Sequence, residues 1–220
     1  MPSVRNRWTT TAALAAAALA LLSGCAVAPA PAPGKPAPRL PADSVAYDEL
    51  PVITTRPKLF PGDCSQFDRD PQLTQRLQGR SPRFNSFVKA CVLLRSAGTQ
   101  VEIGSTDPDR RLPQPWIGYW KAYSYGLYHF RRILVLDRYY AVSQLDQNGC
   151  LVAVNIGAAQ VVTVRVGAQP PVTGGYENMP RPGDSVEQDR RMANAFCPDA
   201  VRAAETYLNE VDPGGGSLAS

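Results

Sequence analysis

The chain has 220 residues, a formal net charge of +4 and 44% hydrophobic residues. That supports one domain with a real core rather than two. No Lys/Arg cluster forms a nucleic-acid footprint, which argues against a nucleic-acid partner.

The N-terminus has the order of a secretory leader. Arg5 and Arg7 supply positive charge, Thr11 to Leu22 an apolar run, and Ser23 and Gly24 the small residues of a cleavage region. The apolar run is about a dozen residues, against the roughly 20 that a spanning helix needs. A transmembrane anchor is therefore disfavoured, and an ordinary signal peptide cut near Gly24 is the main competitor. Leu22-Ser23-Gly24-Cys25 resembles the lipobox of bacterial lipoprotein precursors, a resemblance confined to the first 25 residues. It implies that residues 1–24 are removed and that Cys25 starts the mature chain, with a diacylglyceryl group on its sulfur and usually an acyl chain on its amine. Two or three chains hold a protein at the bilayer where one does not, each buried methylene contributing about 0.8 kcal/mol. Ala26 stands where an Asp retains enteric lipoproteins at the inner membrane, so the resemblance implies the outer membrane, facing the periplasm. Loss of Arg5 and Arg7 leaves 21 basic against 19 acidic residues.

Residues 25–42 read as the lipidated cysteine and a tether. The alternating prolines from Pro29 to Pro38 favour extended polyproline II over helix or sheet. At about 3.1 Å per residue, residues 26–42 reach roughly 50 Å. A single domain is expected over residues 43–211. Its cysteines, Cys64, Cys91, Cys150 and Cys197, are even in number, which suits two disulfides in an oxidising compartment. Nearness in sequence favours Cys64–Cys91 with Cys150–Cys197, and the crossed pairings stay open.

Asp70-Pro71 predicts an N-cap and first residue of a short helix ending at Gly79. Ser81-Pro82 repeats the signal, and the spacing of Phe84, Phe87, Val88, Cys91 and Leu94 or Arg95 predicts a second helix up to Gly98. Residues 105–115 read as a polar loop, in which Asp107 and Asp109 lack the further ligands of a calcium site. Four strands are expected at Arg131 to Leu136, Tyr139 to Leu145, Leu151 to Ile156 and Val161 to Val166, with a fifth possible earlier. Asn148-Gly149 predicts a type I′ hairpin turn, and Gly157-Ala158 another tight turn. Residues 168–183 read as a loop. Ser185 and Gln188 form a capping-box pattern that starts a helix to about Phe196, which Cys197-Pro198 interrupts. A last helix carries Val201, Ala204, Tyr207 or Leu208, and Val211, and residues 212–220 are expected to be a disordered tail. The predicted fold is α+β: an antiparallel sheet of about four to five strands with N-terminal and C-terminal helices packed on it.

Catalytic signals are sparse. His129 is the only histidine, flanked by Tyr128 and Phe130. No Gly-x-Ser-x-Gly elbow, His-Glu-x-x-His motif or phosphate-cradling glycine loop occurs. Neither a cofactor nor a metal site is expected. Carboxylate-only hydrolysis stays open, and Glu102, Asp107, Asp109 and Glu177 cannot be ranked for it from sequence. The distinctive segment is residues 116–128. Trp116, Tyr119, Trp120, Tyr123 and Tyr125 form a two-sided core, a surface for a partner protein or glycan, or a contact with lipid headgroups. The sequence thus points to a lipid-anchored, non-enzymatic binding, assembly or inhibitor protein of the envelope. The competing expectation is a peptidoglycan-directed enzyme or glycan-binding module using residues 116–128.

Overall fold

The computed structural model describes residues 50, 56–111, 113–121, 128–146, 148–170 and 182–218. The leader and the tether lie outside them. Two short helices open the described domain, α1 (Ser65–Arg69) and α2 (Pro71–Arg76). The Asp70 side chain accepts from the backbone N–H groups of Gln72 and Leu73, as its cap role predicts, and Pro71 loses no needed donor at the first position. Leu73 and Leu77 are buried in the main core.

The chain then enters strands β1 (Arg80–Asn85), β2 (Ala90–Leu94) and β3 (Thr99–Thr106). The helix expected over residues 82–98 is therefore absent. Asn85 explains the difference: its side-chain oxygen accepts from the backbone N–H groups of Phe87 and Val88, at 3.0 and 3.4 Å. That closes a turn in place of a helical one. Lys89 follows with a φ of 50°. Past the turn, Cys91 and Leu93 alternate with Val92 and Leu94, burying the first pair fully.

Helix α3 (Pro115–Trp120) leads to a second meander: β4 (Arg131–Val135), β5 (Tyr139–Asp146), β6 (Gly149–Asn155) and β7 (Val161–Ala168). These four strands match the sequence expectation closely. The sheet has seven strands, in the order β1-β2-β3-β7-β6-β5-β4. Every neighbouring pair is antiparallel. The expected antiparallel α+β class stands, whereas the expected four to five strands are seven, because β1, β2 and β3 replace the second N-terminal helix and part of a loop. The two meanders meet where β3 pairs with β7, from Thr99↔Ala168 to Thr106↔Val161.

Helix α4 (Val186–Val211) covers one face of the sheet at β5, β6 and β7. The Ser185 hydroxyl caps it by accepting from Gln188 N–H at 3.1 Å. The interruption expected at Cys197-Pro198 does not occur, and α4 runs through Pro198. Proline removes one helical hydrogen bond and costs about 3 kcal/mol in a helix interior. Here Pro198 faces solvent, while Cys197, Ala200, Ala204, Tyr207 and Leu208 are buried against the sheet. Packing along that stripe outweighs the local penalty.

Two disulfides tie helices to strands. Cys64–Cys91 joins the start of α1 to β2, and Cys150–Cys197 joins β6 to α4. Both are the pairs that nearness in sequence favours. They close spans of 27 and 47 residues, for which loop entropy gives about 3–4 kcal/mol each. Residues 212–218, expected within the disordered tail, are tied to the sheet instead, and 219–220 lie outside the described residues. Ser217 is fully buried, its hydroxyl accepting from Tyr140 N–H at 2.7 Å and donating to Asn155 O at 2.6 Å. Arg56 reaches the same segment, donating to Gly216 O at 2.8 Å and pairing with Asp212 at 2.5 Å.

Candidate functional site

The second face of the sheet carries a smaller core. Trp116 and Trp120 lie one helical turn apart on α3, their ring centroids 5.4 Å apart. They pack with Tyr140, Val142, Ala153 and Val161. The Arg132 guanidinium covers the Trp120 ring at 3.9 Å. Trp120 is fully buried and Trp116 is 4% exposed. These two residues, named as surface candidates from sequence, are therefore core, because a helical stripe turns both indoles toward the sheet. Tyr119 is half-buried, and its hydroxyl lies 2.8 Å from Thr106 Oγ1. Burial pushes the Tyr119 phenol above its ordinary pKa, with the Asp146 carboxylate adding to the shift. Tyr123 and Tyr125 lie outside the described residues, as does Glu177.

A polar row crosses the same face. Glu102 on β3 stands opposite Arg165 on β7, which stands opposite Leu151 on β6. The Arg165 guanidinium donates to Glu102 Oε2 at 2.9 Å and also to Asp146 Oδ2. Gln100 Nε2 donates to Glu102 Oε1 at 2.6 Å. Glu102 is 5% exposed. Two carboxylates thus share one guanidinium across three strands, which fixes the register of β3 and β7 at the junction of the meanders. An acid–base pair for hydrolysis needs two carboxylates facing a common open space. These two face an arginine.

Asp107 on the loop after β3 pairs with Lys58 at 2.9 Å, and the Asp109 side chain accepts from Arg111 N–H at 2.7 Å. Among the described residues no group of three His, Cys, Asp or Glu side chains is placed to hold a metal. No described helix is long and apolar enough to cross a membrane. His129 sits between α3 and β4 with a φ of 52°. Partial burial lowers its pKa from 6.5, the nearby Arg131 charge adds to this, and Asp189 opposes it.

The feature that sequence reasoning missed is the tip of the β1–β2 hairpin. Phe87 is 92% exposed and Phe84 44% exposed. Both belong to the set that helical spacing assigned to an inward face. Here the Asn85 turn throws Phe87 out at the hairpin apex. Phe84 stands opposite Cys91, on the face where the Cys64–Cys91 bridge holds β2. Lys89 at the turn and Arg83 next to Phe84 lie near the two rings, whereas Arg80 is at the far end of β1 opposite Leu94; all three are exposed and make no ion pair with any described residue. No acidic residue occurs between Asp70 and Glu102. A groove of about 570 Å³ runs beside the tip, lined by Phe60, Phe84, Phe87, Val88, Lys89 and Asp107 among others. The signal that identifies this surface is the acid-free stretch around Phe84 and Phe87, legible only once Asn85-Ser86 is recognised as a turn. No protein-family model, curated protein or solved structure matches this chain.

Proposed function

We propose that this chain is a lipid-anchored protein of the bacterial envelope, attached through Cys25 to the outer membrane and facing the periplasm. Its disulfide-bonded domain acts as a binding module for another envelope component. Its binding surface is the β1–β2 hairpin tip rather than the α3 aromatics. The observation that carries this reading is Phe87, the most exposed of the large hydrophobic side chains described. An exposed aromatic on a rigid turn gains contact area at little entropic cost when it meets a partner. The lipobox resemblance of Leu22-Ser23-Gly24-Cys25 and the two disulfides support the location.

Two experiments test it. Metabolic labelling with an acyl probe should mark the parent chain and not Cys25→Ser, because serine forms no thioether. Equal labelling of both removes the anchor. For the surface, a photo-crosslinking residue at position 87 should capture a specific adduct in cells, protein or lipid. The same residue at Arg202, which is exposed on α4, serves as control. Equal capture at the two positions removes the hairpin as a binding surface.

A further inference from the structure

We infer that the β1–β2 hairpin tip is a second contact with the bilayer, in which Phe87 and Phe84 enter the lipid interface and Arg83 and Lys89 meet anionic headgroups. This rests on the proposed anchoring through Cys25. The chemistry of the tip selects this occupant. Two exposed rings form too small an apolar area for a stable protein interface, which buries about 800 Å² on each partner. A lipid interface demands no shape complementarity and accepts single aromatic side chains. The charge fits as well. Arg80, Arg83 and Lys89 are exposed and without ion-pair partners among the described residues. The other cations of the acid-free stretch are already engaged: Arg76 with Glu210 at 2.6 Å and Arg95 with Asp199 at 2.6 Å. On the neighbouring loop, Asp107 is neutralised by Lys58. Asp109 also borders the groove beside the tip, and the hairpin itself, with Arg83 and Lys89 and no acidic residue, carries net positive charge around its rings. Anionic lipid attracts such charge, and each residue counts while it stays within a Debye length of the surface.

The anchor makes the contact effective. A weak interfacial contact on a free protein leaves most molecules in solution. A chain tethered to the same bilayer meets that surface at a high effective concentration set by the tether, and the weak contact becomes populated. The tip is also stiff enough to insert. Asn85 closes its turn, and the Cys64–Cys91 disulfide fixes β2 just below it.

The test uses the full chain purified from membranes and carrying Phe87→Trp. This is a substitution at a solvent-exposed side chain, so the thermal melt should match the parent. The protein is reconstituted in vesicles of phosphatidylethanolamine and phosphatidylglycerol whose acyl chains are brominated. Emission from the indole introduced at position 87 should be blue-shifted and quenched beyond the parent carrying the same N-terminus, in which Trp116 and Trp120, and Trp8 where the leader is retained, supply the background. Replacing Arg83 and Lys89 together by Gln should shift the docked-to-undocked ratio about thirtyfold toward undocked, read as loss of the added quenching. High salt should act in the same direction. An unquenched indole at position 87 with a water-exposed spectrum overturns the inference, as does protein-only capture by the crosslinker at that position. The acyl mass on Cys25 is read separately. An acylated chain whose introduced indole stays unquenched keeps the anchor and loses the lipid contact. An unacylated chain whose introduced indole is quenched by added vesicles does the reverse.

Discussion

Single residues carry much of the specificity of this fold. Arg165 is the clearest case, with Glu102 and Asp146 on either side of its guanidinium. Arg165→Met keeps much of the side-chain volume and strands two carboxylates on the sheet, so a loss of about 3 kcal/mol is expected. Glu102→Gln, which leaves Arg165 paired to Asp146, should cost less. Chemical denaturation of the two variants checks the order. His129 offers a second measurement, because the chain has no other histidine and its imidazole signal is unambiguous. Its midpoint should fall below 6.5 and rise toward it in Arg131→Ala, as followed by proton NMR. A depressed histidine pKa means that the folded state binds fewer protons than the unfolded chain in the window just below 6.5. This contribution to stability is therefore complete above that value and is lost as pH falls through the folded midpoint. Gly149 shows how a correct residue-level signal can have another cause. Asn148-Gly149 predicts a type I′ turn, yet Gly149 already pairs with Asp146, so it belongs to the strand and not to the turn. Gly149 also faces Gly167 across the β6–β7 pair. A Cβ on Gly149 would sit 2.6 Å from Gly167 Cα, so the glycine allows close strand approach and supplies no left-handed φ.

At the scale of elements, α4 is the one that defies its sequence most openly. Pro198 breaks the local rule, and the helix continues because its buried stripe and the Cys150–Cys197 bridge hold both halves on one sheet face. Pro198→Ala restores a backbone donor toward Asn194 and should raise stability by about 2 kcal/mol, less than the full helix penalty because the unfolded chain also gains freedom. A rise in the thermal midpoint checks it, and a fall would mean that Pro198 fits its site better than helix energetics allow. The strands β4 to β7 were legible because β-branched alternation such as Val162, Val164 and Val166 has no helical reading. The caps at Asp70 and Ser185 were legible because side-chain capping is local chemistry. β1 and β2 were not. Phe84, Phe87, Val88 and Cys91 fit a helical face as well as a hairpin, and the choice between them is made by Asn85 and by pairing with β3, a contact that no local pattern encodes. For the same reason the candidate surface moved. Phe87, which helical spacing turns inward, is exposed, while α3 buries Trp116 and Trp120, two of the aromatics that the sequence leaves open between core and surface.

At the scale of the whole molecule, the sheet is two meanders of opposite travel. Strands β1 to β3 step inward from one edge, β4 begins at the other edge, and β5 to β7 step back to close on β3. Every strand pairs with a neighbour next to it in sequence, and only the β3–β7 pairing joins strands distant in the chain. Both outer edges carry basic residues, Arg80 and Arg83 on β1 and Arg131 and Arg132 on β4, and β1 adds Pro82 and an irregular register. Charge, proline and a bulge are the devices that keep an open strand from pairing with another copy. β3 has neither proline nor bulge, and its one charge, Glu102, is neutralised by Arg165 of β7 in the finished sheet. It carries apolar Val101 and Ile103 into the main core and lies in the middle of the finished sheet.

That junction sets a timetable. A chain that emerges from its N-terminus completes β3 long before Val161–Ala168 exists to pair with it. Between those moments β3 is a long open template for the wrong strand, guarded only by the Glu102 charge that Arg165 has yet to meet. A fragment stopped after Thr106 should therefore self-associate at concentrations where the full chain stays monodisperse by light scattering, and a monodisperse fragment would show that β3 is shielded in some other way. The strand that comes last is thus the one that makes the first half safe, and any factor that escorts this protein to its destination has to hold β3 apart until β7 arrives.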